Sequence, residues 1–257
     1  MRFDFHVHAL IAKYIPFETD QLNRMITIAR KRGLNGFAVV DHIHYPGYWR
    51  TSDIFKESFQ YHNGIYEVTE DFHIISGAEV HIKGGGHILV LGDIGEIHRI
   101  DEEMNLSGGY RPTLEQLLAN TPSEMICIGA HPFRSNCGLT EFKPSQLKSL
   151  SALELNASDY QNIEQVKRFI KNCKMPMVSG SDAHVWPLIG VSYTILPDDL
   201  PNLTKIKIAL GQGLTRVEID PDAAFKVNWC NRLKVSIKEW LYQPPLIGQS
   251  SNSIMEY

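Results

Sequence analysis

A closed or nearly closed α/β barrel is the fold this chain predicts. Three observations lead there: the length, a set of seven short apolar runs alternating with helical stretches, and the residues that sit where those runs end. At 257 residues, the chain can bury an ample core, and α/β barrels often occupy such a length as a single domain. Strands are expected over 2–7, 36–41, 73–79, 87–92, 126–130, 151–156 and 177–181, each short and β-branched or apolar. Strands alternating with helices give a mainly parallel sheet, and seven of them in this length favour closure.

The helices between them follow from periodicity. Residues 20–32 place Leu22, Met25, Ile26 and Ala29 on one face, and 161–173 does the same with Ile163, Val166, Ile170 and Cys173. A further helix opens at Pro112-Thr113, where Thr113 and Gln116 have capping-box spacing. One connection breaks the rhythm. Only Val80 to Gly86 separate the Glu79 strand from the His87 run, too few residues for a crossover helix. A hairpin return is expected there, bringing the start of the His87 run beside Glu79, with Gly84-Gly85-Gly86 as its turn. Beyond residue 200 the pattern gives a helix near 202–212 and an amphipathic one around 223–241. The tail from Gln243, with Pro244-Pro245 and a Gln-Ser-Ser-Asn-Ser run, is expected to be disordered. The organisation read from this is a single barrel over 1–215, a helical extension over 216–242 packed on it, and a tail over 243–257.

A net charge of −4 argues against a duplex nucleic-acid binder working through a broad basic face. It leaves room for a short or monomeric phosphorylated substrate, because a local metal charge outweighs the overall balance. Cys127, Cys137, Cys173 and Cys230 are widely spaced with no C-x-x-C pair, so they read as free thiols of a reducing cytosol. No signal-peptide pattern opens the chain, and no apolar run approaches the roughly 20 residues that span a bilayer. A cytoplasmic protein without membrane contact is the expectation.

The chemistry lies at the strand ends. His6-x-His8 sits on the first strand, where alternation points both imidazoles to one side. Asp41-His42 ends the second strand, Glu79 the third, and His131-Pro132 the fifth; His87 opens the return run, and Asp182-x-His184 follows the last strand. In an α/β barrel these ends converge on one face. Imidazole nitrogen and carboxylate oxygen gathered together are what borderline cations require.

In that order these motifs resemble the PHP (polymerase and histidinol phosphatase) domain family over roughly residues 1–215. His6-x-His8, Asp41-His42, Glu79, His87 in Gly-His-Ile-Leu-Val-Leu-Gly, His131 in Ala-His-Pro-Phe-Arg, and Asp182-Ala-His184 carry the resemblance. It implies a distorted TIM-like (β/α)7 barrel and a metal-dependent phosphoesterase with two or three divalent ions, of zinc, manganese or iron. One ion would take His6, His8, Glu79 and Asp182, a second Glu79, His87 and His131, and a third His42 and His184. The family's further His or Asp after the opening motif is missing from Ala9–Tyr14, leaving Asp41, His44 or Tyr14 as substitutes. A dinuclear centre is therefore expected.

The catalytic candidates are His42 or His184 as proton donor to a leaving alkoxide, and Arg134 as a phosphate fork or a surface salt-bridge partner. Tyr45, Tyr48, Trp49 and Arg50 follow a strand end, where they either overhang the pocket or pack on one another; Lys13 and Lys83 are weaker phosphate contacts. His62 is read on a helix, His98 in a polar connection and His73 at a strand start, all solvated, while His81 shares the strand face of Glu79. The substrate expected is a phosphorylated metabolite, nucleotide or short single-stranded oligonucleotide, with no duplex DNA. An amidohydrolase-type enzyme cutting C–N or C–O bonds and a non-catalytic PHP module are the alternatives.

Overall fold

The computed structural model describes residues 1–197 and 202–241; the tail expectation for 243–257 lies outside them. The first half runs β1 (Arg2–Val7), α1 (Thr19–Lys31), β2 (Gly36–Val39), α2 (Tyr48–Ser58), β3 (Gln60–His62), β4 (Ile65–Thr69), β5 (Phe72–His81), β6 (His87–Leu91) and α3 (Ile94–Met104). It continues with α4 (Leu114–Asn120), β7 (Ile126–Gly129), α5 (Pro144–Leu147), β8 (Ala152–Asn156), α6 (Ile163–Cys173), β9 (Met177–Gly180), β10 (Ser192–Ile195), α7 (Leu203–Gly211), β11 (Arg216–Ile219) and α8 (Ala223–Leu241). The α4 capping box forms as its spacing predicts, with Gln116 N donating to Thr113 Oγ1 and Gln116 Oε1 accepting from Thr113 N.

Strands β1, β2, β5, β6, β7, β8 and β9 form a nearly closed barrel. All run parallel except β6, which is antiparallel to both neighbours. The short return is the cause: β5 and β6 pair with His81 opposite His87, and Gly84, Gly85 and Gly86 turn the chain at positive φ, which glycine adopts without a Cβ penalty. The ring shuts where Val7 pairs with Ala183 just past β9. There a Cβ on Gly180 would sit 2.6 Å from the His6 backbone nitrogen, so only glycine lets the two strands approach this closely.

A bulge in β1 sets up the site. Asp4 pairs with Phe37 but Val7 pairs with Val39, one residue more on β1 than on β2. Phe3 and Phe5 pack with Ile75, Leu89 and Ile128 inside the barrel. The extra residue then shifts the inward parity, and His6 and His8 become the side chains that meet Glu79. Bulges beside active sites commonly re-aim a side chain in this way.

Several elements differ from expectation. The β3–β4 hairpin lies antiparallel on β5, so His62 is in a strand, while His98 lies in α3 and meets Trp49 edge-on. His73 is buried within β5 rather than solvated. β10 and β11 extend the sheet beyond β1, before α8. Tyr48 and Trp49 do not overhang a pocket: they open α2, with Tyr48 Oη donating to Gly77 O (2.9 Å) and Trp49 Nε1 to Asp101 Oδ2 (3.1 Å). No described helix is long and apolar enough to cross a membrane.

Candidate metal centre

The eight ligand candidates named from the sequence come together at one end of the barrel. His6 and His8 leave β1, Glu79 stands on β5, His87 opens β6, His131 follows β7, and Asp182 and His184 follow β9. His42, just past β2, forms a parallel bridge with Glu79. His6 Nε2 and His8 Nε2 are 3.2 Å apart. Asp182 Oδ1 lies 3.5 and 3.1 Å from them, and Glu79 Oε2 lies 3.7 and 3.3 Å away. The other Glu79 oxygen faces His131 Nε2 at 3.2 Å and is in close contact with His87 Nδ1. The Glu79 carboxylate thus stands between two groups of ligands. A third group, His8, His42 and His184, has ligand atoms within 4.8 Å of one another, with the His8 and His184 rings stacked at 4.0 Å.

The residues fit divalent cations on a test of their own atoms. Glu79 Oε2, His42 Nδ1 and His131 Nδ1 are buried without a hydrogen-bond partner, although His42 Nδ1 is only 2.9 Å from Glu79 Oε2. Buried polar atoms left unpaired are costly, and the facing pair His42 Nδ1 and Glu79 Oε2 would be relieved by a cation. His131 and Asp182 also hold positive φ, a strained backbone state that clusters at functional sites.

Charge follows from the same packing. Burial alone would raise Glu79 and Asp182, but His42, His87 and His6 hold Glu79 well below the ordinary carboxylate range, and Arg134 and His6 do so for Asp182. Burial would lower His8, yet Asp182, Asp41 and Glu79 push it up to about 10. His6 is raised by Glu154, Asp182 and Glu79 against its burial, and His87, chiefly through Glu79, to about 9. His42, His131 and His184 are lowered by desolvation. Metal ligation needs neutral imidazoles, so protons must leave His6, His8 and His87 as ions enter. Calorimetry at pH 7 in buffers of different ionisation enthalpy should show up to three protons released per chain, falling as pH rises towards 10; zinc uptake without proton release would contradict this ligand set.

Side chains behind the ligands hold them in place. Glu154 lies 3.0 Å from His6 Nδ1 and accepts from His131 N (2.8 Å) and Asn156 Nδ2 (2.9 Å). Asp4 accepts from Ser181 N (2.8 Å), Ser181 Oγ (2.5 Å), Gly190 N (2.8 Å) and His6 N (3.1 Å). Neither carboxylate was anticipated, though a charge in the middle of an apolar strand was the available signal. Cys137, read as a plain thiol, has its sulfur within 4.8 Å of ligand nitrogens of His87 and His131. Lys234 of α8 is a further addition: desolvation pushes it down to about 8 against the pull of Asp182, and nothing in the helix's periodicity marks it.

The other candidates distribute as follows. Arg134 reaches the site, its Nη1 paired with Asp182 Oδ2 and its Nη2 donating to Ser158 Oγ (2.8 Å). Asp41 does not substitute as a third-site ligand: its Oδ1 accepts from Leu10 N (2.8 Å) and stands 3.6 Å from His8 Nδ1, so it buttresses His8. Tyr14 is 66% exposed, and Lys13 and Lys83 are exposed. His44 lies beside His42 and His81.

Residues 162–218 match a family described as PHP-associated. No match is found among curated proteins. Among solved structures, PsfC from Pseudomonas syringae PB-5123 is similar with a TM-score of 0.75 and 20% identity, over 92% of this chain and 98% of that one. The lesion-specific endonuclease EndoQ from Pyrococcus furiosus is similar with a TM-score of 0.62 and 19% identity, over 84% of this chain and 58% of that one. Endonuclease Q in complex with a 27-mer duplex carrying an abasic lesion gives 0.59 and 20%, over 85% and 58%. At these identities the likeness is one of fold. The PHP-associated segment, 162–218, is thus set within a barrel whose fold these structures share.

Proposed function

We propose that the protein is a metal-dependent phosphoesterase acting on a small phosphorylated metabolite, a nucleotide or a short oligonucleotide. The observation that carries this reading is the Glu79 carboxylate set between two imidazole groups, with the Arg134 guanidinium paired to Asp182 at the same centre. His6, His8, Glu79 and Asp182 would hold one ion, and Glu79, His87 and His131 a second, with His42 and His184 placed beside them. Ions held there supply Lewis acidity and water activated near neutral pH.

The chain's own residues account for the rest. Asp182 and Ser158 fix the Arg134 guanidinium, a fork suited to phosphate oxygens. His42 and His184 are held below the ordinary imidazole value by desolvation, so near pH 7 they are neutral and fit ligation or proton acceptance. Lys234, pushed down to about 8 by desolvation against the pull of Asp182, is assigned the transfer of a proton to the leaving alkoxide. The net charge of −4 favours small or short substrates over the duplex named in the endonuclease complex, of whose length this chain spans 58%.

The test is to load the stripped protein with manganese or zinc and offer paired aryl phosphate mono- and diesters, nucleotides and short single strands, with aryl amides and carboxylic esters as controls. Phosphate-ester turnover lost on chelation is expected. Turnover of the amides or esters alone would favour the amidohydrolase alternative, and no turnover of any kind the non-catalytic one. A charge-assisted hydrogen bond is worth about 1.5–3 kcal/mol, and about 1.4 kcal/mol is tenfold. Lys234→Ala, which removes a charged hydrogen bond and the proposed proton donor, should therefore lower kcat/KM about tenfold or more, chiefly through kcat; unchanged kinetics would remove Lys234 from the substrate site.

A further inference from the structure

Beside the centre stands a second group of imidazoles that the two-ion reading leaves unused. His44 follows His42 by two residues in the loop after β2, and His81 ends β5, two residues past Glu79 on the same strand face. The His42, His44 and His81 rings lie 5.5, 5.4 and 4.8 Å apart, centre to centre. One nitrogen of each falls within 4.8 Å of the others. His81 Nε2 is buried and lacks a hydrogen-bond partner. A small cavity of about 70 Å³ opens beside them, lined by His44, His81, Tyr110 and Arg111, and this gives the entry path that a metal site requires.

We propose that His42, His44 and His81 form a further metal site at the rim of the centre, suited to zinc. Three imidazoles with a solvent molecule in the fourth position make a tetrahedral set that Zn²⁺ accepts, and imidazole ligands suit it in softness. This site takes the place of one at His8, His42 and His184. Two of its three side chains, His44 and His81, lie outside the motifs that resemble the PHP family, and it rests on the proposed function only in lying next to the inner ions. The Arg111 guanidinium at the cavity edge leaves an anionic ligand room to approach the rim ion.

The test counts zinc bound to the full-length protein after chelator stripping, reloading and desalting, with Co²⁺ d–d absorption as a second readout. His44→Ala and His81→Ala should each bind one zinc fewer than the parent and lose part of the tetrahedral cobalt band. His184→Ala should keep the parent count. Glu79→Gln should lose the inner ions and retain the rim ion. Parent-level zinc in both His44→Ala and His81→Ala would overturn the proposal, as would loss of that equivalent in His184→Ala alone. Full zinc in Glu79→Gln, with one equivalent missing from His44→Ala, would instead sink the two-ion reading and leave the rim site standing. His44→Gln and His81→Gln, checked by circular dichroism, serve if alanine unsettles the loop.

Discussion

Replacing Glu79 by Gln is expected to empty the inner centre and to lower turnover by more than about a hundredfold. Five imidazoles approach this carboxylate: His42 at 2.9 Å, His131 at 3.2 Å, His8 at 3.3 Å, His6 at 3.7 Å, and His87 in close contact. Glutamine keeps the shape and removes the charge, so the ions lose their shared anionic ligand while the fold keeps its packing. Loss of a group that merely orients a ligand costs about 10- to 100-fold in metal affinity or activity. Glu79 faces both ion positions, so its loss should exceed that range. Metal analysis beside steady-state kinetics checks the result; a variant that retains its zinc and turns over within twofold of the parent would show that Glu79 is not the bridging group.

Glu154→Ala is expected to produce the largest loss of stability. The side chain is fully buried beneath His6 and His131, and removing one partner of a buried pair costs about 3–5 kcal/mol. In a domain of this size about 1 kcal/mol shifts the melting temperature by about 2–4 °C, so a fall of about 6–20 °C should appear in the metal-free protein. The pH dependence separates charge from packing. Burial would raise the Glu154 carboxyl, but His6 and His131 hold it below its ordinary value of 4.5. A carboxylate lowered in the folded state stabilises fully above its unfolded pKa, and this stabilisation disappears as pH falls through the folded one. The gap between parent and variant should therefore be widest above pH 4.5 and close on further acidification. A gap that persists unchanged into strong acid would assign the loss to packing.

Much of this architecture was legible because the barrel strands are short, apolar and bounded by turn residues. The lack of room between Val80 and Gly86 was enough to reverse β6. The ligand pattern was legible because each member sits at a strand end, where a barrel's geometry gathers residues distant in sequence. What escaped did so for identifiable reasons. β3 and β11 are half-exposed and polar, so their alternation is weak. The aromatic start of α2 resembles a loop until its buried partners in α3 and β5 are seen. Glu154 and Asp4 look like errors in apolar strands until the donors that satisfy them come from other strands. The β1 bulge shows only in the pairing with β2, and the influence of the Asp182 charge on Lys234 has no mark in the sequence of its helix.

The seam between Val7 and Ala183 has a consequence for biogenesis. Asp182 and His184 emerge from the ribosome some 175 residues after His6 and His8, and the imidazole pair has no carboxylate from the far edge until that segment docks. A nascent chain therefore lacks the Asp182 carboxylate of the His6 and His8 set until the last barrel segment is made, and a cation held by that set would tie the two edges of the seam together.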